Sequence, residues 1–317
     1  MLVAASALSV APARDGSAGA LQGSTESKTS LDLCPVSRFR DALRLVSSKL
    51  PGAIESAGGF EAVVDAYESR YGAARCDGFS NHGAWPESHR RSDGRPGLVV
   101  NAGEGTTGTT CLNAAFVKLG LNSAHYSDDM RRQSVWKCTN ASWSHGDADC
   151  TSAYDAHDVV SDTPVAYQLP YVLSSHPGEE LAGALLTVRD PKDWAIRRLE
   201  HVSDDVVNAV PCGCRVGWAD RAIPGTKQAD LAQCAALEKV STDLEGQQRT
   251  LIYDAWAACI IQESGHRVFV FNLFELDVDD QATQLASALK GLGAFPADLS
   301  AAQMKAAMHE SSECSVG

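Results

Sequence analysis

Apolar positions fall into short continuous runs separated by helical stripes. Leu98-Val99-Val100 is such a run, rich in branched side chains, and it empties into Asn101-Ala102-Gly103-Glu104-Gly105-Thr106-Thr107-Gly108-Thr109-Thr110. Apolar residues then recur at Leu112, Ala115, Phe116 and Leu119, the spacing of one helix face, with Gly120 as the stop. Leu121 to Tyr126 predicts a second strand, Val159 to Ser161 a third and Leu181 to Val188 a buried fourth. Val268 to Asn272 predicts a final strand. Helical patterns run from Asp190 through His201, and over Leu231–Val240, Leu251–Glu263 and Ala282–Leu292. Alternating strands and helices predict a parallel sheet with helices on both faces, and ligands at the carboxyl ends of the strands.

Upstream, Phe39, Leu43 and Val46 mark one helical segment and Phe60, Val63, Val64 and Tyr67 the next. The run from Ser80 to Arg95 is loop, dense in His, Arg, Gly and Pro. A long irregular excursion carrying Trp136, Trp143 and His145 follows the second strand; such excursions in compact domains are often functional. The predicted organisation is a mobile tail or weak signal segment over 1–30 and a helical appendage over 31–97. A nucleotide-binding α/β domain over 98–293 and a C-terminal tail over 294–317 complete it.

Composition changes the picture in few places. The chain has 317 residues, 44% of them apolar, with a net charge of −13. That balance argues against nucleic acid as a partner, because phosphate backbones are held by excess Lys and Arg. It also requires any anionic ligand to sit in a local basic pocket. Leu2 to Val10 is mildly apolar and Ala11-Pro12-Ala13 resembles a cleavage site, but no Lys or Arg precedes it. No window approaches 18 continuous apolar residues, so no spanning helix is predicted. Asn140-Ala141-Ser142 is a glycosylation sequon that bears only on a secreted chain.

The ten cysteines leave the compartment and localisation open. Cys111 and Cys259 lie in apolar helical patterns and read as reduced core residues. Cys138, Cys150, Cys212 and Cys214 lie in polar, loop-like sequence and would pair in an oxidising compartment. Cys212-Gly213-Cys214 is too close-spaced for a zinc knuckle, and no metal site is predicted.

The chemistry concentrates in the Gly-Thr stretch. Strand, glycine-rich turn and helix start is the order in which a backbone wraps a phosphate: glycine permits close approach, and the first helical amides point at the anion. Hydroxyls at Thr107, Thr109 and Thr110 add donors. Two patterns share these residues. Gly103, Gly105 and Gly108 spell the dinucleotide fingerprint, with Asp128 20 residues beyond the last glycine. Gly103 and Gly108 also frame a P-loop, with Thr109-Thr110 where a nucleotide-hydrolysing loop has Lys followed by Ser or Thr. Such a loop is poorly equipped to cleave a β–γ phosphate bond, yet suits a nucleotide whose phosphates are not transferred.

Past the fourth strand come Arg189-Asp190-Pro191-Lys192-Asp193-Trp194. With Gly108-Thr109-Thr110, Asp162-x-Pro164 and Arg267-Val268-Phe269-Val270-Phe271-Asn272 in that order, the chain from about Leu98 to Gly293 resembles the P-loop sulfotransferases, in the branch with an Arg-Asp-Pro-x-x-Trp motif. The resemblance implies a three-layer sandwich around a parallel sheet. It also implies 3′-phosphoadenosine-5′-phosphosulfate as co-substrate and a small-molecule or glycan hydroxyl (or amine) as acceptor. On that pattern Gly103, Gly105, Thr106, Thr107, Gly108, Thr109 and Thr110 hold the 5′ end of the donor, and Arg189 grips the 3′-phosphate. Asp162 is the expected catalytic base, with His125, His157 and His201 as rivals, and Trp194 reads as core rather than as an adenine stacker.

Two departures stand out. The family carries Lys or Arg two residues before the Gly-Thr-Thr glycine, beside the leaving oxygen, where this chain has Thr106. The second 3′-phosphate ligand, a serine eight residues after the arginine, is here Arg197, which can serve as a phosphate donor and adds charge. A threonine cannot replace a lysine's charge, so either another cation serves the leaving group or catalysis is weak or absent. Two alternatives therefore stand beside sulfuryl transfer: a nicotinamide-dependent Rossmann oxidoreductase, although no Tyr-x-x-x-Lys pair is present, and a non-catalytic nucleotide binder.

Overall fold

The computed structural model describes residues 34–71, 97–125, 154, 156–162, 165–166, 169, 172–173, 176, 181–201, 239–293, 299–310 and 314. The tail over 1–30, the loop over 80–95, Asp128 and the excursion with Trp136, Asn140, Trp143 and His145 lie outside them. So do Pro164, Cys138, Cys150, Cys212, Cys214 and 231–238. Lys239 and Val240, the end of the helix predicted over Leu231–Val240, are not helical.

Among the described residues, five strands form one parallel sheet: β1 (Leu98–Asn101), β2 (Ser123–Ala124), β3 (Val159–Ser161), β4 (Leu181–Val188) and β5 (Val268–Asn272), in the order β2-β3-β1-β4-β5. β1 lies at the centre, and its first three residues are fully buried branched side chains that alternate between the faces. Leu98, Val100 and Ala102 join Val160, Ala184, Leu186, Val188 and Val270 in one apolar cluster. Val99 joins Val159, Leu185 and Phe271 in the other.

This strand order bears on the dinucleotide alternative. In the doubly wound dinucleotide fold β2 adjoins β1, so an acidic residue past β2 can reach the ribose. Here β3 lies between them. The fingerprint glycines thus stand in a sheet of a different winding, which argues against the Rossmann reading.

Helices cover both faces, making three layers. On the first face lie α1 (Val36–Ser47), α2 (Ala53–Ser56) and α3 (Phe60–Tyr71), with α5 (Pro191–His201) and α6 (Leu244–Glu263). On the second lie α4 (Thr109–Lys118), α7 (Val278–Leu292) and α8 (Ala301–His309). α6 has no clear polar stripe because it is covered on opposite sides: it packs on β4 and β5 in one direction and on α1 and α3 in the other, and every residue from Gly246 to Ile261 except Gln248 is buried. Its Tyr253 hydroxyl donates to the carbonyl oxygens of Ala102 (2.8 Å) and Ala166 (3.1 Å), tying the helix to the chain just past β1. No helix of the described residues is long and apolar enough to cross a membrane.

The structure departs from the sequence reading at two further points. α8 falls within the stretch expected as tail: the Ser300–Gln303 capping box starts it, and Met304, Ala307 and Met308 at i, i+3 and i+4 bury its apolar face against α4 and α7. Cys111 and Cys259 are not reduced core thiols. Cys34–Cys259 and Cys111–Cys314 are disulfides, with Cα atoms 5.8 and 4.6 Å apart. The separations of 225 and 203 residues explain the error, since an apolar neighbourhood says nothing about which distant cysteine arrives beside it.

Cys34–Cys259 closes a long loop and joins α1 to α6, so replacing both cysteines by alanine is expected to lower unfolding stability by about 2–5 kcal/mol. Urea denaturation in the absence of reductant measures it. A midpoint equal to the parent's would show that the pair contributes nothing.

Candidate anion-binding site

The turn between β1 and α4 is held from below by a polar knot. Asn101, fully buried at the end of β1, accepts at Oδ1 from the Gly103 amide (3.2 Å), the Thr187 amide (3.4 Å) and the Thr187 hydroxyl (3.2 Å). The Thr187 and Thr107 hydroxyls lie 2.7 Å apart, and Thr107 donates to the Glu104 carbonyl oxygen at 2.5 Å. The turn is thereby fastened to the neighbouring strand β4. Contact is so close that a Cβ on Gly103 would lie 1.9 Å from Thr187 Oγ1 and 2.5 Å from the Thr187 carbonyl oxygen. Gly108 follows in the left-handed region (φ +94°) as the N-cap of α4, and no side chain caps that helix. Its first amides, at the positive end of the dipole, face the turn and are available to an anion.

The Arg-Asp-Pro-x-x-Trp stretch braces the same turn from the far end of β4. Asp190 Oδ1 accepts from the amides of Lys192 (3.1 Å) and Asp193 (3.0 Å), and Pro191 fills the first helical position, where a missing N–H costs nothing. That start aims the helix so that Trp194, 1% exposed, donates its indole N–H to the Gly105 carbonyl oxygen at 2.9 Å. Trp194 is thus a loop brace in the core. Arg189 pairs through Nε with Asp193, donates from Nη1 to the Thr106 carbonyl oxygen at 3.3 Å and stacks 3.9 Å over the Phe274 ring. The arginine and the glycine-threonine turn, 83 residues apart, converge.

Among the described residues, two that are not glycine adopt positive φ: Thr106 (+71°) and Asp162 (+67°). Each such conformation costs on the order of 1–3 kcal/mol and concentrates at functional sites; for a β-branched threonine it is a marked outlier. Asp162 follows β3 and is buried, with Oδ2 3.1 Å from His125 Nε2 and 3.5 Å from the Thr109 hydroxyl. His125, just past β2, also lies 3.2 Å from Thr109 Oγ1 and 3.5 Å from Thr110 Oγ1. His157 is fully buried with Nδ1 3.2 Å from Asn122 Oδ1, a packing role remote from the turn.

A cavity of about 410 Å³ opens over the turn. Thr106, Gly108 and Thr110 line it together with Arg189, Arg197 and His201. Arg197 is half exposed and pairs with Glu200 at 3.1 Å. The expected residues therefore gather in two groups: the loop, Arg189 and Arg197 around the cavity, and Asp162 with His125 against the loop at Thr109.

Three features escaped the sequence reading. Phe274 follows β5 and stacks on Arg189, a pairing that no local pattern announces. Arg198, 8% exposed, lies against the loop: a Cβ on Gly105 would sit 2.4 Å from Arg198 Nη1 and 2.9 Å from Asp162 Oδ1. Its position, four residues after Trp194 and so on the same helix face, was the available signal. Beneath the loop, Glu104 and Asp254 of α6 are both buried acids. Burial, and then the charge of Glu104, pushes the Asp254 carboxyl well above the ordinary carboxylate range.

Fold and site define an α/β protein with a glycine-threonine turn at the carboxyl end of its central strand. Residues 98–210, from β1 past α5, match the family model of the sulfotransferase domain. No curated protein matches the chain.

Gly103→Ala is expected to destabilise the fold by about 1–3 kcal/mol, since backbone must move to admit the methyl group; thermal or urea unfolding reads this directly. Asp254→Asn should stabilise at pH 7. A carboxyl raised in the folded state holds its proton there, so its contribution to stability falls as pH rises above the unfolded value near 4. The gain from Asp254→Asn therefore grows with pH above about 4 and vanishes below it. A gain independent of pH would show that Asp254 is not the titrating group.

Proposed function

We propose that the chain moves a sulfuryl group from 3′-phosphoadenosine-5′-phosphosulfate to a hydroxyl or amine of a small-molecule or glycan acceptor. The observation that carries this reading is the single cavity onto which the glycine-threonine turn, Arg189 and Arg197 all open. The uncapped N-terminus of α4 suits the 5′-phosphosulfate. Thr106 Oγ1, buried and without a hydrogen-bond partner, is a further donor for it. Arg189 and Arg197 supply the local positive charge that an acidic protein needs to hold the 3′-phosphate.

In the reaction the acceptor oxygen bonds to sulfur as the bond from sulfur to the bridging oxygen breaks. The electron pair leaves with adenosine 3′,5′-bisphosphate, and the acceptor's proton passes to the Asp162 carboxylate. His125, against Asp162 Oδ2, fixes that carboxylate's orientation. Thr106 brings a hydroxyl, not a charge, to the position beside the leaving oxygen. That substitution favours a second reading, a nucleotide binder without turnover, and acceptor sulfation separates the two.

Incubation with labelled donor and a panel of alcohol, amine and glycan acceptors should transfer label. Calorimetry should show that Arg189→Ala weakens adenosine 3′,5′-bisphosphate binding by about 10–100-fold, the worth of a charged hydrogen-bond partner. Binding unchanged by that substitution would remove the basis of the proposal.

A further inference from the structure

The charge missing at position 106 has a substitute elsewhere in the fold. Arg198 is buried between α5 and the loop, and among the described residues no hydrogen bond or ion pair engages its guanidinium. An arginine stays charged at any ordinary pH, and a buried unpaired charge is costly. Such a group is retained at a site where an anion completes it. Gly105 makes the arrangement possible, because any side chain there would collide with both Arg198 Nη1 and Asp162 Oδ1. The guanidinium and the carboxylate therefore approach the same face of the loop, where Asp162 turns its Oδ2 to His125.

Helix geometry gives Arg197 and Arg198 different targets. Successive residues are rotated by about 100° around a helix. Arg197 accordingly lines the cavity with Arg189, whereas Arg198 turns inward to the loop beside Asp162. One helix thus brings positive charge to two separate places.

We infer that Arg198 supplies the positive charge that Thr106 lacks, binding the sulfuryl oxygens of the donor on the face of the loop shared with Asp162; naming the anion rests on the function proposed above. As the bond to the bridging oxygen breaks and the acceptor bond forms, negative charge is spread over the sulfuryl and leaving oxygens. A planar guanidinium fork beside the loop presents two donors to that distribution of charge.

The test uses the full chain with Arg198→Met, alone and combined with Thr106→Lys. Turnover of the phosphosulfate donor should fall by about 10²–10³-fold in Arg198→Met. Affinity for adenosine 3′,5′-bisphosphate, which lacks the sulfuryl group, should be little changed. The melting temperature should stay equal or rise, since the variant removes an unpaired buried charge. Recovery of turnover on adding Thr106→Lys would show that charge, not shape, was lost. A lowered melting temperature with parental turnover would make Arg198 a structural residue and overturn the inference. If the parent sulfates no acceptor, protection by inorganic sulfate decides. Sulfate raising the melting temperature of the parent but not of Arg198→Met sustains an anion site at Arg198 while the transferase reading fails. Equal protection of both overturns the site itself.

Discussion

The constraint on which the site depends is the buried knot of Asn101, Thr187 and Thr107. One amide oxygen receives three donors, and a hydroxyl pair carries the connection on to the loop. Asn101 Nδ2 is buried without a hydrogen-bond partner, so the three donors at Oδ1 are what hold this side chain, and any other arrangement of the loop would forfeit them. Its effect is to use β4 as a rigid bar beneath a turn that would otherwise be free. Trp194 performs the same service from above through the Gly105 carbonyl. Left-handed backbone at Thr106 and Asp162 is sustained because the surroundings fix it from several sides.

Charge is distributed against the overall balance of the protein. The chain is strongly acidic, yet Arg189, Arg197 and Arg198 all lie on or next to one helix whose start faces the loop. The Arg-Asp-Pro-x-x-Trp sequence is compact because each residue does a separate mechanical job. The arginine reaches the loop, the aspartate caps, the proline fixes the first turn and the tryptophan props the loop. Two acids under the loop, Glu104 and Asp254, oppose this concentration of positive charge, with Asp254 driven toward its neutral form by burial. The disulfide Cys111–Cys314 adds a covalent tie between the first turn of α4 and the end of the chain, beside the same cavity.

Local pattern carried much of this. The strand bounds at Leu181–Val188 and Val268–Asn272, and the turn leading into α4, follow from runs of branched residues ended by glycine, polar or charged positions, which need no tertiary information. α6 was expected only from Leu251, since the pattern of a helix buried on all sides lacks the stripe by which helices are found. Arg198 went unnoticed because an arginine in a helix ordinarily faces water, and nothing local says that a glycine 93 residues earlier leaves room for it.

The sequence by itself determined the alternation of strand and helix, the position of the glycine-threonine turn and the arginine that meets it. These are matters of periodicity, glycine placement and motif spacing. Only the tertiary structure decided the order of strands, which separates β1 from β2 by β3 and sets this sheet apart from the dinucleotide winding. It alone paired Cys34 with Cys259 and Cys111 with Cys314, and it alone brought His125, Asp162 and Arg198 to the loop. The physical reason is common to all three. Each depends on contacts between segments tens to hundreds of residues apart, which are selected by how buried faces pack together and leave no trace in the neighbourhood of any one of them along the chain.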